Sequence, residues 1–173
     1  LEGVLSLISS ARVGFIGLGA MGAPLAGHLH GKGLLSAVGN RTVAKADALA
    51  RQLGVKAAHT PADFADCDAV VLCVSKDADV LQCIDDLATV LPAGAMVIDH
   101  STVARATAIE AAARLKAKGI DFLDAPVSGG VEGAKNGRLS VMIGGEAAVF
   151  ERARNLLSAY ALKVTLMGPT GSG

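Results

Sequence analysis

Three glycines early in the chain have a spacing that suits phosphate binding. Gly17, Gly19 and Gly22 form a Gly-x-Gly-x-x-Gly pattern that ends the apolar run Arg12–Gly17 and opens the helical pattern Ala20–Lys32. In a strand–turn–helix unit, such glycines permit a tight turn, close approach of a pyrophosphate and close helix packing, and the first helical N–H groups point at the anion. We therefore predict a nicotinamide dinucleotide site on this turn, rather than an ordinary strand-to-helix connection. The expected contacts are the six turn residues Gly17, Leu18, Gly19, Ala20, Met21 and Gly22.

The residues after the second apolar run indicate which dinucleotide is preferred. An NAD site usually has Asp or Glu about 20 residues beyond the turn, where it binds the ribose 2′-hydroxyl. This sequence has Asn40, Arg41 and Thr42 there, with Lys45 one helical turn later. Arg41 suits a bidentate pair with a 2′-phosphate, and Thr42 can donate to the same oxygens. We predict contacts from Asn40, Arg41 and Thr42 and a preference for NADP(H), with NAD as a second cofactor; in the alternative, Arg41 and Lys45 are solvated surface charges.

Apolar runs alternate with helical patterns along the chain. The expected strands are Arg12–Gly17, Leu35–Val38, Val55–Ala58, Ala69–Val74, Ala95–Asp99, Ile120–Val127, Leu139–Gly144 and Leu162–Leu166. The expected helices are Ala20–Lys32, Val43–Leu53, a short helix from Thr60–Pro61, Ala78–Leu91, Val103–Lys118, a short helix after Ser128, and Glu146–Ala161. This alternation predicts a Rossmann α/β fold, a doubly wound, mostly parallel sheet with helices on both faces. We assign residues 12–167 to this domain, 1–11 to a leader or appended remnant, and 168–173 to a glycine-rich tail.

Composition excludes several other classes of protein. The 173 residues are 51% apolar and 18% charged, with zero formal net charge, no tryptophan and one tyrosine, which argues against nucleic-acid binding. No apolar run approaches the ~20 residues of a membrane helix, and the first ten residues lack the basic start of a signal peptide. Three cysteines without a CxxC pair predict neither disulfides nor a metal site, and favour a reducing, cytoplasmic compartment.

Three segments resemble a known family, the β-hydroxyacid dehydrogenases, which includes 3-hydroxyisobutyrate dehydrogenase, tartronate semialdehyde reductase and, more distantly, 6-phosphogluconate dehydrogenase. They are FIGLGAMGAPLAGHL (Phe15–Leu29), DHSTV (Asp99–Val103) and DAPVSGGVEGAKNGRLSVMIGG (Asp124–Gly145). The resemblance extends over the chain from Arg12. Leu25 and His28 replace the usual Met and Asn, at positions that we expect to serve helix packing.

The resemblance implies further cofactor contacts at the ends of two strands. Val74 and Ser75 stand where a Leu-Pro pair usually lines the riboses, although Ser75 departs from that proline. Thr102 matches a contact near the nicotinamide. Independently of the resemblance, Ser101 or Thr102 is a candidate N-cap for the following helix, and the two roles are compatible.

The resemblance also implies a binding turn for a small carboxylate substrate at Ser128, Gly129 and Gly130. A hydroxyl and two unobstructed backbone amides are suited to receive a carboxylate. The alternative is a flexible connection between a strand and a helix. His100 is the one histidine near a motif, and we interpret it as structural or surface rather than as a metal ligand.

Relatives carry a catalytic lysine just beyond a glycine-rich turn that residues 168–173 resemble, followed by a helical domain that forms most of a dimer interface. No lysine of this sequence matches that position, so we assign no catalytic residue and expect the chain by itself to be inactive. The resemblance implies the cofactor domain of an NADP(H)-dependent oxidoreductase, homo-oligomeric at full length, acting on a small 3-hydroxy acid or its semialdehyde. The alternative is a non-catalytic NADP(H) sensor or interaction module, which would need no substrate turn.

Overall fold

The structure, a computed structural model, describes residues 11–173. Residues 1–10 of the predicted leader lie outside the described residues. Ala11, the last residue of that segment, is partly buried and packs against the core. Within the described residues, no helix has the length and apolar character needed to cross a membrane.

Six strands form a parallel sheet in the order β3-β2-β1-β4-β5-β6 within the described part of the chain. They are β1 (Val13–Ile16), β2 (Leu35–Gly39), β3 (Lys56–Ala57), β4 (Ala69–Leu72), β5 (Met96–Asp99) and β6 (Asp121–Asp124). The central strands β4 and β5 are buried along their whole length, as expected for apolar runs covered on both faces. The chain runs outward from β1 to β3, then returns to place β4 on the other side of β1, which creates a crevice at the carboxyl ends of these two strands.

Six α-helices and one 3₁₀ turn cover the sheet over residues 11–173. They are α1 (Gly22–Gly31), α2 (Val43–Leu53), the 3₁₀ turn (Pro61–Phe64), α3 (Asp77–Ala88), α4 (Arg105–Lys116), α5 (Gly130–Asn136) and α6 (Ala147–Leu157). Helices α1, α2, α5 and α6 contribute to one apolar cluster, and α3, α4 and the 3₁₀ turn contribute to a second. The two clusters lie on opposite faces of the sheet, which confirms the doubly wound architecture.

The C-terminal part of the chain extends the sheet with both antiparallel and parallel strands. It comprises β7 (Val127–Ser128), β8 (Leu139–Gly144) and β9 (Ala161–Gly168). Strand β8 runs antiparallel to β6 and β7 and parallel to β9. The connection from β7 to β8 through α5 is short for a parallel crossover, which explains the reversal.

Several predicted element boundaries differ from the structure; the expected helix Glu146–Ala161, for example, ends at Leu157. Two of the differences have identifiable reasons. The expected strand Ile120–Val127 is broken into β6 and β7 because Pro126 has no N–H for the ladder. Helix α4 begins at Arg105, and its N-cap is Ala104 without a capping side chain, so neither Ser101 nor Thr102 caps it.

Candidate cofactor-binding site

The predicted cofactor residues meet at one edge of the sheet. The glycine turn follows β1, Asn40–Thr42 follows β2, Val74 and Ser75 follow β4, and Thr102 follows β5. Since these strands are parallel, the four loops leave the same edge around the crevice between β1 and β4. Ligands of open α/β sheets bind at this position.

The three glycines of the turn differ in what surrounds them. A Cβ on Gly17 would lie 2.1 Å from the carbonyl oxygen of Cys73, and its φ of 105° also favours glycine. A Cβ on Gly22 would lie 1.7 Å from the carbonyl oxygen of Gly17. A Cβ on Gly19 would meet nothing within 4 Å. Gly17 and Gly22 therefore permit close backbone packing within the protein, whereas Gly19 leaves an open surface at the start of α1.

Asn40 connects the glycine turn to the loop after β2. Its Oδ1 accepts a hydrogen bond of 2.8 Å from the N–H of Leu18, and its Nδ2 donates to the carbonyl of Thr42 at 3.1 Å. Both ends of the side-chain amide are thus bonded to backbone. Asn40 positions the two loops, a role that the sequence analysis did not assign because it depends on a contact between residues distant in the sequence.

Arg41 and Thr42 are exposed beside this connection, and Lys45 is also exposed. Thr42 precedes α2 without a side-chain capping bond. Arg41 Nη2 lies 2.5 Å from Oδ1 of Asp79, in the first turn of α3. The Arg41 side chain is 75% exposed and the Asp79 side chain 24%. This pairing could not be predicted from the sequence, because the two residues belong to different βαβ units.

Ser101 holds the loop after β4 in place. The N–H of Val74 donates to Ser101 Oγ at 2.9 Å, and the N–H of Ser101 donates to Asp99 Oδ1 at 2.9 Å. Ser101 and Asp99 are buried, whereas Ser75 and Thr102 are exposed at the crevice edge. The structure therefore gives Ser101 a positioning role in place of the predicted cap.

His100 is structural, as one of the two sequence interpretations held. Its Nδ1 donates to the carbonyl of Ala125 at 2.6 Å, and its Nε2 accepts from the hydroxyl of Tyr160 at 2.5 Å. Burial lowers the pKa of His100 to about 4, so the ring is neutral near pH 7. With both nitrogens bonded inside the protein, His100 is unsuited to exchange protons with a ligand.

The carboxyl group of Asp99 is buried beneath the same edge of the sheet. Within the described residues, its Oδ2 is buried without a hydrogen-bond partner. Burial raises the pKa of Asp99 to about 6, against the lowering effect of its bonds to Ser101, and the nearby carboxylates of Asp124 and Asp77 raise it further. The folded chain therefore binds the Asp99 proton more tightly than the unfolded chain does.

A cavity of about 160 Å³ lies next to the carboxyl end of β2. Its lining includes Ile16, Gly39, Asn40, His59, Pro61, Phe64 and Cys83. The cavity adjoins the loop that carries Arg41, so the crevice continues past Asn40 into an open, partly apolar pocket. This cavity could not be predicted from the sequence, since its walls come from β1, β2, the 3₁₀ turn and α3.

The predicted substrate turn runs from Ser128, the last residue of β7, to Gly130, the first residue of α5. Ser128, Gly129 and Gly130 are exposed, and the two glycines have φ values of 132° and 62° that favour glycine. Helix α5 contacts α1 through His28, whose Nε2 lies 2.9 Å from the carbonyl oxygen of Ala134. This contact links the substrate turn to the helix that starts at the glycine turn. Together with the complete burial of Leu25, it confirms the helix-packing roles predicted for Leu25 and His28.

The glycine-rich tail is attached to the same region of the sheet. Asp124, at the end of β6, accepts hydrogen bonds from the N–H groups of Gly171 at 2.8 Å and Gly173 at 2.9 Å. The N–H of Gly145 donates to the carbonyl of Gly168. Residues 168–173 therefore pack beside β6 and β8.

The fold and the crevice define an NAD(P)-binding Rossmann domain. Residues 12–168 match the family model described as the NAD binding domain of 6-phosphogluconate dehydrogenase, and the chain belongs to this family. It is 46% identical over 167 residues to an uncharacterized oxidoreductase of Shewanella frigidimarina, with 94% of this chain and 57% of that protein covered. It is 38% identical to the NAD-dependent L-serine dehydrogenase of Pseudomonas aeruginosa, with 94% of this chain and 55% of that protein covered.

Solved structures give the same result. The 3-hydroxyisobutyrate dehydrogenase of Mycobacterium tuberculosis, solved with L-serine, has a TM-score of 0.90 at 32% identity, over 95% of this chain and 56% of that chain. Psf3 in complex with NADP⁺ and 2-OPP has a TM-score of 0.84 at 33% identity, over 92% of this chain and 57% of that chain. The chain thus spans less than three fifths of the length of these relatives. These similarities confirm the Rossmann fold and the resemblance to the hydroxyacid dehydrogenases, whose members are oxidoreductases.

The open space at Gly19 leads to a first prediction. Gly19→Val should fold normally, because a Cβ at this position meets no protein atom within 4 Å, but it should abolish binding of NAD⁺ and NADP⁺ by filling the surface predicted to receive the pyrophosphate. Gly27→Val, inside α1 and also with open space around its Cβ, is the matched control and should retain binding. Calorimetric titration and thermal unfolding measure both properties. Normal binding by the folded Gly19 variant would contradict the assignment of the turn.

The buried carboxyl of Asp99 leads to a second prediction. Its raised pKa means that its contribution to stability is fully present below about pH 4 and is lost as the pH rises towards 6. The free energy of unfolding of the wild type, minus that of Asp99→Asn, should therefore fall by roughly 2–3 kcal/mol between pH 4 and pH 7. Urea denaturation at several pH values measures this difference.

The comparison with Asp99→Asn is necessary because His100 acts in the opposite direction. Its lowered pKa makes the fold less stable as the pH falls from 6.5 towards 4. This second effect is present in both proteins and cancels in the difference. A difference that stays constant from pH 4 to pH 7 would show that Asp99 ionises as readily in the folded chain as in the unfolded chain.

Proposed function

We propose that this chain is the cofactor domain of an NADP(H)-preferring oxidoreductase that transfers hydride between the nicotinamide and a small 3-hydroxy acid or its semialdehyde. The main observation is the loop after β2, which has no carboxylate and presents the exposed Arg41 and Thr42 at the crevice. Two of the relatives support the two parts of this proposal. One was solved with NADP⁺ and another with L-serine, a small hydroxy acid.

The crevice fits a dinucleotide along its length. The open surface at Gly19 and the first N–H groups of α1 would receive the pyrophosphate. The cavity beside Asn40 would receive the base, with Phe64 in its wall. Arg41 and Thr42, between these two regions, would bind the 2′-phosphate. When bound, the nicotinamide supplies the hydride donor or acceptor, and the protein supplies orientation and electrostatics.

The nicotinamide end of the crevice is bounded by Val74, Ser75 and Thr102, which we propose as contacts because their loops leave β4 and β5 at the same edge. The turn Ser128–Gly130 would hold the carboxylate of the substrate through a hydroxyl and two backbone N–H groups. The exposure of all three residues of this turn and their tie to α1 through α5 support the proposal. A sensor that binds the dinucleotide alone has no use for such a turn.

Two titratable groups beneath this edge of the sheet, His100 and Asp99, are unsuited to transfer a proton to or from the substrate oxygen. His100 is neutral and fully engaged, and Asp99 is buried below the surface. We therefore propose that this chain binds and orients cofactor and substrate, and that the proton is handled by a lysine outside these 173 residues, as the family resemblance implies.

The cofactor preference can be tested at Arg41. We expect NADP⁺ to bind more tightly than NAD⁺, and Arg41→Ala to weaken NADP⁺ binding by about tenfold or more, because a charge-assisted hydrogen bond contributes roughly 1.5–3 kcal/mol. The affinity for NAD⁺ should change much less. Arg51→Ala, an exposed arginine at the other end of α2, is the matched control. A wild-type preference for NAD⁺, or unchanged NADP⁺ binding by the Arg41 variant, would refute the proposed 2′-phosphate site.

Catalysis gives a further prediction. We expect the chain to bind NADPH yet oxidise it with tartronate or methylmalonate semialdehyde at a rate at least ~100-fold below that of a complete dehydrogenase, because general acid catalysis contributes ~10²–10⁴. A complete dehydrogenase of this family, assayed with the same semialdehyde and NADPH, provides the reference rate. Turnover near that rate would require a catalytic group among the residues that we consider structural.

A further inference from the structure

The pair formed by Arg41 and Asp79 crosses the crevice at the proposed 2′-phosphate site. Arg41 follows β2, whereas Asp79 follows β4 in the first turn of α3, so the pair joins loops on the two sides of the crevice. Arg41 Nη2 and Asp79 Oδ1 are in direct contact, so the two side chains form an ion pair without an intervening group.

The side chains of Arg41 and Asp79 differ in how exposed they are. Asp79 belongs to a helix and its side chain is only 24% exposed, whereas the Arg41 side chain is 75% exposed and can turn towards solvent or a ligand. The other carboxylate in this turn, Asp77, is engaged elsewhere, since it accepts hydrogen bonds from the N–H of Ala104 and the hydroxyl of Thr107. Asp79 is therefore the carboxylate of this helix end that faces the arginine.

A 2′-phosphate and the Asp79 carboxylate are both anions that require the same guanidinium. When the phosphate binds Arg41, the ion pair with Asp79 must break or be shared, and the loss of that pair weakens the binding of the phosphorylated cofactor. A cofactor with a plain 2′-hydroxyl leaves the ion pair intact. Asp79 thus opposes the phosphorylated cofactor selectively.

We infer that Asp79 competes with the 2′-phosphate for Arg41 and thereby limits how strongly the site prefers NADP over NAD. The inference rests on the proposed function, in which Arg41 binds the 2′-phosphate. It makes Asp79 a specificity-determining residue that reaches the cofactor site from the opposite half of the sheet.

The test is a set of calorimetric titrations with NADP⁺ and NAD⁺ at low ionic strength. Asp79→Asn should shift the ratio of the two dissociation constants about twofold to fivefold towards NADP⁺, the range expected for an exposed ion pair, and salt should reduce the shift. Asp79→Glu, which keeps the charge, should bind both cofactors much as the wild type does. Thermal unfolding of each variant verifies that it is folded.

Two controls separate competition from a general effect of charge. Asp85→Asn removes a carboxylate from the same helix that also pairs with an arginine, Arg114, and should leave the ratio unchanged. In an Arg41→Ala background, the effect of Asp79→Asn should disappear, because the two anions no longer share a guanidinium.

Each outcome supports the inference or overturns it. A shift towards NADP⁺ that is absent in the Arg41→Ala background supports it. The inference is overturned if Asp85→Asn gives an equal shift, if the shift persists without Arg41, or if Asp79→Asn gives no shift. In each of these cases, loss of NADP⁺ affinity in Arg41→Ala would still support the proposed function. If Arg41→Ala itself binds NADP⁺ as the wild type does, the proposed 2′-phosphate site and this inference both fail.

Discussion

Close packing of backbone segments at the glycine turn positions the rest of the candidate site. The Cα hydrogens of Gly17 and Gly22 occupy positions where a Cβ would overlap the carbonyl oxygens of Cys73 and Gly17. This packing brings the start of α1 directly over the end of β1, next to the loop after β4. The N-terminal end of the helix, which carries the positive end of the helix dipole, therefore faces the crevice.

Around that turn, side chains rather than regular secondary structure hold the loops. Asn40 connects the turn to the loop after β2, and Ser101 connects the loop after β4 to the end of β5. These side chains form hydrogen bonds with backbone groups and thereby hold the loops in place. Arg41 and Thr102 remain exposed at the crevice, Arg41 in an ion pair with Asp79.

Features of the fold that depend on local sequence pattern could be predicted from the sequence. The bounds of helix Val43–Leu53 and strand Leu139–Gly144 agree with the structure, because periodicity and flanking glycines mark them clearly. The glycine turn was likewise found from spacing and context. The contacts of Ser101 and the pairing of Asp79 with Arg41 were missed, since each joins residues from different βαβ units and depends on how the loops pack.

The bond between His100 and Tyr160 has a spectroscopic consequence. The chain has one tyrosine and no tryptophan, so its intrinsic ultraviolet emission and its alkaline absorbance change both come from Tyr160. That ring is fully buried and bonded to the imidazole of His100, and burial raises the pKa of its hydroxyl well above the ordinary value. Tyrosinate absorbance would therefore appear when the core opens, so an unlabelled sample carries an optical reporter of a single interior position.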